Sequence, residues 1–158
     1  MKQKTTRGFA CIGLDNAKDP KNIGSALRAA YCYNAAMVAV SGKRYKKSCT
    51  DTPKSYKTLP MVQVDDLKSI IPYGCVPVAV DLIEESIPLP DYIHPEQAFY
   101  IFGAEDQTLG KRVLSYCRDV VSIPTNVCMN LAATVNVILY DRLSKSWSRS
   151  SNKMGVLK

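Results

Sequence analysis

The sequence has one histidine, no pair of cysteines at metal-ligand spacing and no apolar run approaching a membrane span. Its six cysteines (Cys11, Cys32, Cys49, Cys75, Cys117 and Cys128) lie scattered, with no Cys-x-x-Cys. Neither a zinc site nor a redox dithiol is indicated, and no metal is expected. A chain of 158 residues has no need of a disulfide framework, so reduced thiols in a cytoplasm are expected. The longest strictly apolar run, Ala35 to Val40, is far too short to cross a bilayer. The apolar stretch inside the basic start MKQKTTRGFACIGLD is likewise too short for a signal peptide. A soluble, cytoplasmic protein follows. The usual engines of hydrolysis are missing: there is no Gly-x-Ser-x-Gly elbow and no Gly-x-x-x-x-Gly-Lys-Ser/Thr phosphate loop. No Gly-x-Gly-x-x-Gly follows the first apolar run, so ordinary dinucleotide binding at that turn is unsupported. His94, followed by Pro95, reads as a surface loop residue rather than a catalyst.

What is present is a 46% apolar chain in regular short runs, long enough to bury roughly 70% of its unfolded surface in one domain, residues 1–158. Strand-like and helix-like segments alternate throughout. Strands are expected at Phe9 to Leu14, Met37 to Val40, Met61 to Val64, Val76 to Leu82, Ala98 to Phe102 and Val120 to Ile123. Helices are expected at about Asn22 to Asn34, opened by Asp19-Pro20, at Asp65 to Ile71, and from Met129 to Ser146, which holds no Gly or Pro. The polar tail from Ser146 is expected to fray. Such alternation argues for an α/β fold with a mostly parallel sheet flanked by helices.

The net charge of +7 and isoelectric point near 9.1 point to a polyanionic partner. Lys43, Arg44, Lys46 and Lys47 form a basic knot around Tyr45, followed by Lys54, Tyr56 and Lys57. Cations interleaved with aromatics suit single-stranded RNA, whose phosphates meet ammonium groups while its bases stack. A solvated loop explains the segment equally well.

Three segments at expected strand ends are richer in special residues than packing requires. Asn22-Ile23-Gly24-Ser25-Ala26-Leu27-Arg28 begins as a capped helix, which leaves Asn22 and Arg28 without a task. Phe102-Gly103-Ala104-Glu105, followed by Leu109-Gly110, runs a strand into a glycine and an acidic turn. Glu105 there also reads as a plain turn residue. Ile123-Pro124, a short loop and Cys128-Met129-Asn130 precede the last helix, for which Asn130 is a good N-cap. Ligands of open parallel sheets gather at the carboxyl ends of strands, where these segments would converge.

In this order and spacing the three segments resemble the signature motifs of the SpoU/TrmH-type branch of the SPOUT RNA methyltransferases, over about Phe9 to Leu143. The resemblance implies a C-terminal deep trefoil knot and an obligate homodimer whose active sites are completed across the interface. It implies S-adenosyl-L-methionine as cofactor, held near Val80, Asp81, Gly103, Ile123, Cys128 and Met129. It makes Arg28 the candidate for activating a ribose 2′-hydroxyl, supported by Asn22, Glu105 and Asn130. The implied substrate is RNA, with tRNA favoured over rRNA because the chain is of minimal length. Cys128 departs from the more usual serine, and a thiol donates hydrogen bonds more weakly than a hydroxyl. The competing reading is a non-catalytic RNA-binding protein on the same scaffold.

Overall fold

The computed structural model describes residues 8–42, 55–104 and 107–155. Among these residues seven strands form one sheet: β1 (Phe9–Asp15), β2 (Met37–Ser41), β3 (Met61–Val64), β4 (Val76–Val80), β5 (Ile87–Pro88), β6 (Gln97–Phe102) and β7 (Asp119–Ser122). Every pairing is parallel, and the order across the sheet is β3-β2-β1-β6-β4-β7-β5. The helices are α1 (Pro20–Cys32), the single turn α2 (Lys111–Leu114) and α3 (Leu131–Gly155).

A parallel sheet must be covered on both faces, and the period of two along each strand divides its side chains accordingly. Ala10, Ile12 and Leu14 of β1 join Val78 and Val80 of β4, and Tyr100 and Phe102 of β6, on the face that α1 and α3 cover. Cys11, Ala79, Phe99 and Ile101 point the other way, against Leu67, Leu109 and Val113. On that second face Gly13 is forced by its neighbour: a Cβ there would stand 2.5 Å from Cε1 of the buried Phe99 ring. Each large side chain wholly withdrawn from water contributes about 1.5–3 kcal/mol.

Helix α1 starts where local chemistry tells it to. Asp19 is extended and accepts a hydrogen bond from the Lys21 amide at 2.8 Å, and Pro20 fills the first turn, where its missing N–H costs nothing. Ile23, Ala26, Leu27 and Ala30 follow at helical spacing and are buried. The helix ends before Asn34, which takes the left-handed conformation (φ 56°).

Four expectations need correction. The strand expected to run to Leu82 stops at Val80, because the Asp81 side chain turns back onto backbone amides. The helix expected over Asp65 to Ile71 is only a 3-10 turn, Leu67–Ile70; Pro72 holds Ile71 extended and ends it. The last helix begins at Leu131, two residues later than expected, because Asn130 caps it from outside. It also continues to Gly155 instead of ending at Ser146, since no Gly or Pro interrupts it before then. The two-residue strand β5 had no signal in the sequence.

Candidate active site

At the carboxyl ends of β4, β6 and β7 the chain encloses a cavity of 340 Å³, with the start of α3 as its fourth wall. Val80, Asp81, Gly103, Ile123, Cys128 and Met129 all line it, brought together from three segments well separated in sequence. The walls are mainly apolar, with Phe102 and Leu131 added to these, and the polar residues of the lining include Asp81, Gln107 and three threonines. Such a lining suits a flat, partly apolar ligand whose edges bond to backbone. A Cβ at Gly103 would be tightly placed, 3.2 Å from the Gln107 carbonyl oxygen and 3.4 Å from the Leu109 side chain.

Two side chains couple the entrance of α1 to that of α3. Asn130 Nδ2 donates to Asn22 Oδ1 at 2.8 Å, while Asn130 Oδ1 accepts from the Ala132 amide at 2.9 Å. The capping role and the link to Asn22 therefore coexist in one residue. Asp81 Oδ1 accepts from the Leu82 amide at 2.7 Å, and Oδ2 accepts from the Leu109 amide at 2.6 Å.

Arg28 is not part of the cavity wall. It lies on the exposed face of α1, six residues beyond Asn22, or about 9 Å along the helix axis. Glu105 and the basic residues Lys43, Arg44, Lys46 and Lys47 lie outside the described residues; the basic segment follows the carboxyl end of β2. Residues that sequence reasoning passed over are Thr108, Thr125 and Thr134, all lining the cavity. Thr125 Oγ1 donates to the Val127 carbonyl at 2.9 Å, pinching the loop before α3, and Thr134 Oγ1 donates to the Asn130 carbonyl at 3.0 Å. The first two stood inside segments already singled out, and Thr134 stands one turn beyond Asn130.

His94 is buried, although its loop setting suggested the surface. It sits at the amino end of β6, where both ring nitrogens have partners: Nδ1 with the Tyr100 hydroxyl at 2.6 Å and Nε2 with Asp141 at 2.8 Å. Burial holds its pKa down at about 4 against the pull of Asp141, whose charge is shared with Lys145 at 2.7 Å. Among the described residues no three His, Cys, Asp or Glu side chains gather as metal ligands, and no helix is long and apolar enough to cross a membrane.

Fold and cavity together define an α/β protein with a cavity at the carboxyl ends of a parallel sheet, the place where ligands of such sheets gather. Residues 10–140 match the model of the SpoU rRNA Methylase family, and the chain belongs to that family. It is 28% identical over 152 residues to an uncharacterized tRNA/rRNA methyltransferase of Archaeoglobus fulgidus, covering 89% of this chain and 66% of that protein. It is similar in structure to the SpoU methyltransferase AviRb from Streptomyces viridochromogenes, with a TM-score of 0.80 and 23% identity over 90% of this chain and 61% of that one. AviRb has also been solved in complex with AdoMet, and superposes there with a TM-score of 0.78. A third likeness is to a structure concerned with 2-OH methylation of C/U34 on tRNA, with a TM-score of 0.74 and 18% identity over 89% of this chain and 97% of that one. The chain thus spans just under two thirds of the archaeal relative and of AviRb.

Proposed function

We propose that this chain is an S-adenosyl-L-methionine-dependent RNA methyltransferase of the cytoplasm that methylates a ribose 2′-hydroxyl, with tRNA favoured over rRNA as substrate. The observation that carries the reading is the convergence of Val80, Asp81, Gly103, Ile123, Cys128 and Met129 on one cavity. Its volume falls within the range of sites for small-molecule ligands, and Gly103 lets the loop after β6 pack closely beside the cavity. Family membership and the AdoMet complex of AviRb support the cofactor. The structural likeness to a protein concerned with 2-OH methylation of C/U34 on tRNA supports the tRNA preference.

When bound, the cofactor supplies an electrophilic methyl group on a sulfonium. The chain's own task is to hold the ribose oxygen in line, and alignment of this kind is worth roughly 7–11 kcal/mol of barrier. Arg28 orients the hydroxyl, or withdraws its proton after its own has passed to a nearby phosphate, since a guanidinium is normally protonated. The Asn22–Asn130 pair ties the start of α1 to the start of α3, next to the cavity-lining Met129 and Leu131, and Glu105 would complete the catalytic set. Arg28 stands apart from the cavity wall of its own chain. We therefore take it to serve the cavity of a second copy, in a homodimer whose C-terminal segment is knotted. Tyr31 on α1 and Tyr140 on α3, both exposed on adjoining helices, support such an interface. Lys43, Arg44, Lys46 and Lys47, which follow β2 in the sequence, would hold RNA phosphates.

The test combines calorimetry with S-adenosyl-L-methionine and transfer of a tritiated methyl group to RNA. Saturable binding is expected, with transfer to total tRNA that vanishes on a 2′-deoxy target. Absence of cofactor binding would remove the assignment, and methylation that survives on the deoxy target would move the chemistry to a base.

A further inference from the structure

We propose that Asp81 is a positioning residue, whose carboxylate shapes the cavity by clasping its wall and makes no contact with the cofactor. This inference rests on the reading of the cavity as the S-adenosyl-L-methionine site. Asp81 follows directly on β4, and its backbone amide donates to the Val121 carbonyl of β7 at 3.0 Å. Its Oδ2 reaches across to the Leu109 amide, 28 residues away, at the far end of the loop that leaves β6. One residue therefore joins the end of β4 to β7 and to the far end of the loop that leaves β6.

The loop held in this way has few other restraints among the described residues. It departs at Phe102, turns with a long 3.4 Å bond from the Gln107 amide to the Ala104 carbonyl, and returns at Leu109. The Leu109 side chain is buried against Phe99 and Ile101 under the sheet, while its amide is caught from above by Asp81. Ala104, Gln107 and Thr108, suspended between these two anchors and Gly103, face the cavity. The Gln107 carbonyl and the Leu109 side chain both pack beside Gly103, 3.2 and 3.4 Å from where a Cβ would stand, so the position of Leu109 bears on this stretch of wall. The carboxylate already commits one oxygen to Leu82 and one to Leu109, so its geometry is set before any ligand arrives.

An amide at this position has one acceptor oxygen and places an NH2 donor against one of the two backbone donors. In Asp81→Asn the dissociation constant for S-adenosyl-L-methionine is expected to rise about tenfold, the loss of roughly one charge-assisted hydrogen bond. In the ligand-free protein the Leu109 amide should exchange with solvent distinctly faster, while kcat at saturating cofactor changes little. Asp81→Glu keeps the charge but sets it one methylene too far, and the same losses are expected in this second background. Unchanged cofactor binding in Asp81→Asn would overturn the proposal. So would weakened binding with Leu109 exchange still as slow as in the natural chain, which would place the carboxylate on the ligand itself. Full binding in Asp81→Glu would reduce the role to charge and overturn it too. Failure of the underlying reading looks different: the natural chain itself would not bind the cofactor, while the exchange measurement would still report on the clasp.

Discussion

The two ends of the sheet differ in their residues and in the use made of them. At the amino end His94, Tyr100, Asp141, Arg142 and Lys145 close on one another and on the carbonyls of Leu89, Tyr92 and Pro95. Beside them Tyr92 donates to Asp119, which Arg118 also holds, and that pairing lowers the Asp119 pKa. At the carboxyl end Thr108, Thr125, Thr134 and Gly103 line open space, with the Thr125 and Thr134 hydroxyls donating to the Val127 and Asn130 carbonyls of the segment before α3. A polar network whose members satisfy each other fastens α3 to the strands; one that faces a void is ready for a ligand. A rare residue is therefore no guide to a site by itself. The single histidine sits at the structural end.

This contrast predicts that changes at the carboxyl end cost function and changes at the amino end cost stability. The largest effect is expected for Arg28→Ala. Methyl transfer should fall by about two to four orders of magnitude with cofactor affinity and melting temperature retained. Near-normal turnover in a tritiated-methyl assay would take Arg28 out of the catalytic set. Next comes neutralisation of Lys43, Arg44, Lys46 and Lys47 together. RNA affinity should drop across sequences, and the slope of log K against log salt should flatten by about one unit for each phosphate that is no longer neutralised. An unchanged slope would return the segment to an ordinary solvated loop.

His94 makes the converse prediction. Its folded pKa of about 4 lies below the unfolded value of 6.5, so between them the unfolded chain takes up a proton that the folded chain refuses. The stabilisation is complete above pH 6.5 and is lost as the pH falls toward 4, by about 2 kcal/mol between pH 7 and 5. Chemical denaturation at both pH values should show this loss, and His94→Gln should lack it while binding cofactor normally. A pH dependence identical in the two proteins would show that His94 is not its source. The smallest effect is expected for Cys128→Ser. If the cavity uses only the backbone at this position, turnover should stay within about twofold, because a hydroxyl replaces a thiol of similar size.

Local chemistry made much of this molecule readable. Asp19-Pro20 announced α1, the apolar runs announced six of the strands, and Ile123-Pro124 and Phe102-Gly103 marked strand ends that reach the cavity. Pairing was not readable, because apolar periodicity identifies a strand without saying which neighbour it takes. Nothing in Val76–Val80 shows that it lies between β6 and β7. The same holds for the Asp81–Leu109 bond and for the burial of His94, both made by partners 28 and 47 residues away. The threonines of the cavity were invisible for a simpler reason: threonine is common, and only three-dimensional convergence distinguishes these.

Asn130 starts helix α3 with its oxygen and steadies Asn22 with its nitrogen. An alanine there would strip both bonds at once, whereas serine would keep the cap and be too short to reach Asn22. The loss shared by both variants is that of the Asn22 link, and the extra loss in alanine belongs to the helix. A lone alanine scan of this segment would report the two as one.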